Sequence, residues 1–440
     1  MSSAPNPTIA LDQLKELICI SVETIKKSIH DHDDPPLSIE ARQHHPIHNR
    51  LDEELELALK NVSSAAQMLR AICDPNTYLN DTMYGYHDET ALLVACQADI
   101  ANLLGDAELT SQELAEKTGI NADRLSRYLR NLCNGLIFRE TSDNRFANNL
   151  LSITFQSEAK RALVGHCADE CRTSSSKAWE ALTYPEYKNA TETNKAPFNL
   201  AYKTDLTIFE WMKSVRPDIG RRCNTAMAGK ALNLEQYLSL YPWSSESGKT
   251  IVDVGGGVGA GTLPVLRAFP SLHLIIQDLP ESEIKFQEYL TQNYAELQGT
   301  SRVKFQGHDF FKPQIVQGPD LFFLRHVIHD WPDADASRIL SNCAAVMTPQ
   351  SKLLILEHMI SPTFRRHDQI AVDTPVAPEP LLANWGQSVT SRLDLQVLAC
   401  INAKQRTEAE FRKLVRDAGL EAVRVWRNAG QDTILECRKA

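Results

Sequence analysis

The residues of this sequence best placed to do chemistry sit at the ends of short apolar runs. Asp253 is the last polar residue of the run 250–254, TIVDV, which is followed at once by Gly255, Gly256, Gly257 and Gly259, with Gly261 just beyond. Glycines there permit a tight turn and let backbone N–H groups come close to a ligand. Residues 262–269 then have helical spacing, and the strand-like run 274–277 ends in Asp278 and Leu279. Strand, glycine turn, helix, strand and acid make a nucleotide-binding βαβ unit, with the acid positioned for ribose hydroxyls. The glycines do not decide which nucleotide is bound. Gly255-x-Gly257-x-x-Ala260 also fits a loose dinucleotide fingerprint, and NAD and S-adenosylmethionine both carry the ribose. Asp253 favours S-adenosylmethionine, because a carboxylate there repels a pyrophosphate but attracts the ammonium of a methionine.

Three more strand ends carry chemistry. Run 302–305 leads to Asp309 and Phe310, an acid and a ring able to bracket an adenine. Run 320–324 leads to Arg325-His326-Val327-Ile328-His329-Asp330-Trp331, and run 352–356 ends in Glu357. A carboxylate beside an imidazole fixes its tautomer and stabilises its protonated form, so a His–Glu pair makes a credible general base. His326 and His329 compete for that role on spacing alone.

Strands alternating with helices around these residues predict an α/β fold, a mostly parallel sheet covered on both faces. Helices are expected over 333–346, 388–402 and 407–418, the last opened by a Thr407/Glu410 capping box. The runs 420–426 and 433–437 are expected to close the sheet as an antiparallel pair. Residues 361–386 read as irregular. Upstream, 156–240 reads as helical and aromatic. Phe198, Trp211 and Met227, with Trp331, are candidate walls of a pocket for a flat substrate; ordinary core packing accounts equally well for most of the aromatic side chains. Residues 109–147 read as a winged helix-turn-helix: Ser111 caps one helix, Gly119 turns, Asn121 caps a second, and 136–146 forms a wing. Amphipathic helices are expected over 11–29 and 51–73, and a largely apolar one over 89–104. The histidines between them (His30, His32, His44, His45, His48) lie in a polar, proline-containing linker, which favours solvation over metal binding.

At 440 residues the chain is long enough for two or three domains. The net charge of −10 and pI of about 5.8 argue against nucleic acid or an anionic membrane as partner, despite Arg124, Arg127 and Arg130 on the second helix of the wing motif. No apolar run reaches membrane-spanning length, and the first residues lack a secretory pattern. The ten cysteines are scattered with no CxxC, as expected of reduced thiols in the cytoplasm.

VDVGGGVG, LIIQDLP, HDFF, FLRHVIHDWPD, LLILEHMI and DLQVLACINAKQRTEAEFRKLVRDAGL together resemble the S-adenosylmethionine-dependent O-methyltransferases of the plant caffeate and flavonoid type, and most of all their fungal secondary-metabolite branch. The resemblance runs from about Asp88 to the C-terminus. It implies a Rossmann-like class I methyltransferase sheet over 246–440, substrate-pocket helices over 156–245 and a winged-helix dimerisation domain over 1–155. It further implies a homodimer, S-adenosyl-L-methionine as cofactor, no metal, and a phenolic or polyketide-like acceptor. The same resemblance gives Gly255 and its neighbours the methionyl group, Asp278 the ribose, Asp309 and Phe310 the adenine, and Arg325 the adenine or ribose. His329 becomes the base and Glu357 its orienting carboxylate.

A phenol of pKa about 10 facing an imidazole of about 6.5 makes full deprotonation uphill by about 5 kcal/mol, so proton removal concerted with methyl attack is the economical route. One departure stands out: where the family has a glutamate before Arg-Thr, this chain has Gln405, which hydrogen-bonds but carries no charge. That leaves room for a second reading, a family member that uses bound S-adenosylmethionine to assist a pericyclic rearrangement without methylating.

Overall fold

The computed structural model describes residues 7–228, 234–365, 376–386, 388–427 and 432–440. The chain divides into two compact units, one of Met1–Thr173, Phe209–Ala231 and Val376–Gly386, the other of Ser174–Ile208, Leu232–Pro375 and Gln387–Ala440.

In the first unit, helices Pro7–Asp31 and Glu53–Cys73 pack on each other through Leu14, Leu17, Ala65 and Leu69. Ala377, Leu381 and Trp385 join that cluster, and the Trp385 indole donates to Asn61 Oδ1 at 2.7 Å. So part of the segment expected to be irregular is packed; its residues 366–375 lie outside those described. Among the linker histidines, His45 is buried and structural. It accepts the Ile47 N–H at Nδ1, so Nε2 is the nitrogen that donates to the Pro35 carbonyl at 2.7 Å. The helix expected over 89–104 begins earlier and breaks late: it runs Pro75–Gln97, capped by Asp74, and restarts as Ile100–Leu104 after Asp99, whose φ is +54°.

The winged motif is present with two corrections. Thr110, not Ser111, caps the first helix (Ser111–Thr118), in a capping box with Glu113. The wing has three strands, Glu108–Thr110 and Arg139–Ser142 each pairing antiparallel with Arg145–Ala147. Arg130 of the second helix (Ala122–Asn134) is held bidentate by Glu140 of the wing. No helix among the described residues is long and apolar enough to cross a membrane.

The second unit is built on seven strands: β1 (Thr250–Val254), β2 (His273–Asp278), β3 (Val303–Gly307), β4 (Leu321–Arg325), β5 (Lys352–His358), β6 (Leu420–Arg427) and β7 (Asp432–Lys439). Their order is β3-β2-β1-β4-β5-β7-β6, parallel from β3 to β5 and antiparallel at β7 and β6. Side chains alternate across the sheet as the pleat requires. Val252, Val254, Phe322, Leu324, Leu353 and Ile355 pack against Ile339 and Leu340 of helix Asp333–Val346 and Phe411 and Val415 of helix Glu408–Asp417. Ile251, Leu321, Phe323, Leu354 and Leu356 face Trp243, Leu263, Leu266, Phe286 and Leu290. Both faces are therefore apolar, as in sheets covered by helices on each side. Polar residues are left to the strand ends. There the parallel strands finish and β7 begins, with Asp432 paired opposite His358 and Thr433 opposite Glu357.

Candidate active site

The glycine loop follows directly from β1. Gly255, Gly257 and Gly259 have φ of +71°, +57° and +80°, values that L side chains rarely adopt. The N–H groups of Gly255 and Gly256 donate to the Gln277 carbonyl, and that of Gly257 to Asp278 Oδ2 at 2.8 Å. The Gln277 side chain is in turn locked in a reciprocal amide pair with Gln314 at 2.8 and 2.9 Å, so the end of β2 is rigid. Asp278 Oδ1 accepts from the Leu279 N–H and the Ser282 hydroxyl, and Leu279 itself is exposed. A Cβ on Gly256 would lie 2.6 Å from the buried Asp253 carboxylate, which has nowhere to move. We predict that Gly256→Ala costs about 1–3 kcal/mol of stability; an unchanged denaturation midpoint would refute this.

Asp253 is buried and accepts from the Thr262 hydroxyl at 2.5 Å. Burial pushes its carboxyl up to about 7, against the pull of Thr262 and Arg325. Arg325 Nε is buried without a hydrogen-bond partner among the described residues, and its guanidinium lies 5.8 Å from the Tyr237 ring. A Cβ on Gly257 would meet nothing within 4 Å. Asp253 and Asp278 offer carboxylates that suit an ammonium and ribose hydroxyls, Gly257 leaves room beside its backbone, and Arg325 keeps one N–H without a partner. Asp309 caps its own turn, accepting the Phe311 N–H at 3.0 Å. Phe310 faces Gly255, and Phe310 and Phe311 both pack edge-on against Trp331.

The residues around His329 come from three separate elements. His329 lies in the turn after β4 and is 6% exposed. Its backbone N–H donates to Glu357 Oε1 at 3.1 Å, and its Nδ1 stands 3.5 Å from Glu357 Oε2. Gln405, buried after helix Ser388–Ile401, places its amide 2.6 Å from the same Nδ1. The amide atom at that distance is Gln405 Nε2; with the amide turned over, Oε1 faces the ring, Nδ1–H donates to it and the ring's Nε2 keeps its lone pair. Asp330 Oδ1 lies 3.4 Å from Nε2, ready to steady the ring once it takes a proton. Burial raises the Glu357 carboxyl, but His329 and then His326 outweigh it and hold it at about 2. Its stabilising effect is therefore present above the ordinary carboxylate pKa and lost as pH falls toward about 2.

The family model of the O-methyltransferase domain matches residues 184–421, and that of the O-methyltransferase dimerisation domain matches 80–158. The chain belongs to the O-methyltransferase family. Its similarity to 3-O-methyltransferase 2 of Phanerochaete chrysosporium is 32% identity over 85% of this chain and 84% of that one. The solved mitomycin 7-O-methyltransferase is 28% identical, with a TM-score of 0.66 over 84% of this chain and 99% of that one. A solved enzyme of a pericyclic reaction superposes with a TM-score of 0.71 over 87% of this chain and 95% of that one at 19% identity, a likeness of fold.

In this S-adenosylmethionine-dependent O-methyltransferase, the remaining candidate residues belong to different units. Phe198 is wholly buried on Tyr202 and offers no surface to a ligand. Trp211 is nearly buried and Met227 is 40% exposed, both within the first unit. Residues not singled out from sequence prove central. Arg406 is fully buried and donates to the Ile328 and Trp331 carbonyls, on either side of His329, and to Asp333. Thr262 holds Asp253. The Tyr237 hydroxyl donates to the Gly261 carbonyl at 2.5 Å and so fixes the far side of the loop.

Proposed function

We propose that this O-methyltransferase methylates a phenolic hydroxyl of a small secondary metabolite, with His329 as general base. The observation that carries the reading is the buried Gln405–His329–Glu357 constellation at the strand ends beside the glycine loop. Asp253, Gly255, Gly256 and Gly257 hold the methionyl arm of the cofactor, Asp278 and Leu279 its ribose, Asp309 and Phe310 its adenine, and Arg325 its adenine or ribose. When bound, S-adenosylmethionine supplies an electrophilic methyl group. His329 Nε2 accepts the hydroxyl proton as the oxygen becomes nucleophilic; Glu357 and Gln405 keep the ring's other nitrogen protonated, and Asp330 favours the imidazolium. Trp331 remains a proposed wall of the acceptor pocket; Phe198, wholly buried, is withdrawn from that role. Residues 1–155 supply a homodimer interface, 156–245 the pocket helices and 246–440 the cofactor core. The scattered cysteines, with no CxxC, suit a reducing cytoplasm.

Incubating the enzyme with trideuteromethyl-labelled cofactor and a panel of phenolic polyketides tests this. A labelled ether is expected. Conversion of an acceptor with the cofactor recovered intact would favour the pericyclic reading instead.

Asp253 gives a second expectation. Its carboxyl is neutral below about pH 7 and ionised above, and only the ionised form attracts the cofactor's ammonium. Affinity for S-adenosylhomocysteine should therefore fall about tenfold from pH 8 to pH 6. Calorimetric titration across that range checks it; an equal slope in Asp253→Asn would remove Asp253 from the role.

A further inference from the structure

His329 does not have Glu357 to itself. His326 Nδ1 lies 3.6 Å from Glu357 Oε2, the oxygen that stands 3.5 Å from His329 Nδ1, and the two rings are 5.5 Å apart. The other nitrogen of His326 is 3.3 Å from Asp432 Oδ1, which His358 Nδ1 also approaches at 3.3 Å. The result is an alternating row: His329, Glu357, His326, Asp432, His358. His326 is aimed into it by a backbone with φ of +51°, sparsely populated for a residue other than glycine, and is held there by its N–H on the Leu356 carbonyl. Such strain persists where the surroundings impose it, and it clusters at functional sites.

We propose that His326 is a positively charged brace between Glu357 and Asp432 that sets the basicity of His329. This rests on His329 being the base of methyl transfer. A buried carboxylate raises the basicity of an imidazole beside it. A second, charged imidazole shares the carboxylate and weakens its hold on the His329 proton. Asp432 keeps the brace charged: burial disfavours the His326 cation, but Asp432 and Glu357 outweigh it and raise its pKa. The charged and titratable groups facing His326 are Glu357 and His358 from β5, Asp432 from β7 and His329 from its own loop, while Arg325 at the end of β4 acts on Asp432. His326 is thus a positioning residue and touches no reacting atom.

The proposal predicts an unusual pair of results. His326→Asn, chosen because asparagine tolerates positive φ, removes the brace. The apparent pKa on the acid limb of kcat/KM should rise by about one unit, giving about tenfold lower activity at pH 6 and a loss that shrinks as pH rises. Asp432→Asn should move it the same way, because His326 loses the partner that keeps it charged. Direct electrostatics would do the opposite, since removing a negative charge lowers the pKa of a nearby imidazole. The double variant should shift no further than either single one. NMR titration of the His329 ring nitrogens in the unliganded protein reads the same shift without turnover, so the brace and the methyl-transfer reading can fail separately. If His326→Asn does not fold, Asp432→Asn decides alone. An unmoved His329, or a downward shift in Asp432→Asn, overturns the proposal. So does a wild-type activity abolished by EDTA and restored by zinc. In that case His326, His358 and Asp432, whose ligand atoms lie within 4.8 Å of one another, would be holding a cation.

Discussion

Replacing His329 by alanine should lower kcat by about 10²–10⁴-fold, the usual contribution of a positioned general base. Binding of S-adenosylhomocysteine should stay close to wild type, because no hydrogen bond of the glycine loop, Asp278 or Asp309 involves the imidazole. The backbone N–H of His329, which donates to Glu357, survives the substitution, so the turn keeps its anchor and the loss is chemical. Raising the pH should recover part of the rate, since solvent then ionises the phenol that the enzyme no longer deprotonates. Steady-state kinetics beside calorimetric binding checks both halves. A parallel fall in binding and rate would mean that the ring holds the site together and does not act on the substrate.

Arg406→Leu should have the largest effect on stability. The guanidinium is wholly buried and donates to the Ile328 and Trp331 carbonyls at 3.0 and 2.8 Å and to Asp333 at 2.8 and 2.9 Å. Leucine fills the volume but orphans two carbonyls, each costing about 1–3 kcal/mol. Asp333 is largely exposed, so the ion pair itself adds little. A total of about 3–5 kcal/mol is expected, read from denaturant unfolding. Because the two carbonyls bracket His329, kcat should fall with the stability even in protein that remains folded. Arg406→Lys should rescue only part, since one ammonium cannot span both carbonyls and the carboxylate. A stability loss below 1 kcal/mol would show that the turn after β4 does not depend on Arg406.

Much of the architecture could be read from sequence because one-dimensional patterns encode it. Apolar runs ending in Asp253, Asp278, Arg325 and Glu357 announce strands whose carboxyl ends must gather at one edge, and the pairing of His329 with Glu357 follows from adjacency of those strands. Other features depend on what crosses that edge. Asp432 comes opposite His358 only because β7 runs antiparallel to β5 in one particular register, and no spacing between residues 326 and 432 reports it. Arg406 looked like half of a motif; its burial under the His329 turn is a tertiary fact. Gln405, which differs from the family pattern, nevertheless sits against the imidazole, because an amide of the same length reaches the same nitrogen. Thr110 and Ser111 are both hydroxylic, and only backbone geometry makes Thr110 the cap. Phe198 was read as a pocket wall because an aromatic side chain suits a flat ligand; its burial on Tyr202 is the commoner fate of such a residue.

The account turns on His329 removing a proton, and the most direct test compares two acceptors that differ in acidity. Methyl transfer by wild type and His329→Ala would be measured on one phenolic scaffold at pH 7.5, once with a hydroxyl of ordinary acidity and once with an electron-poor ring whose hydroxyl is already ionised. The account predicts a loss of about 10²-fold or more on the first acceptor and a small loss on the second, which needs no base. Equal losses on both would contradict it, and would leave His329 as a residue that positions the acceptor without taking its proton.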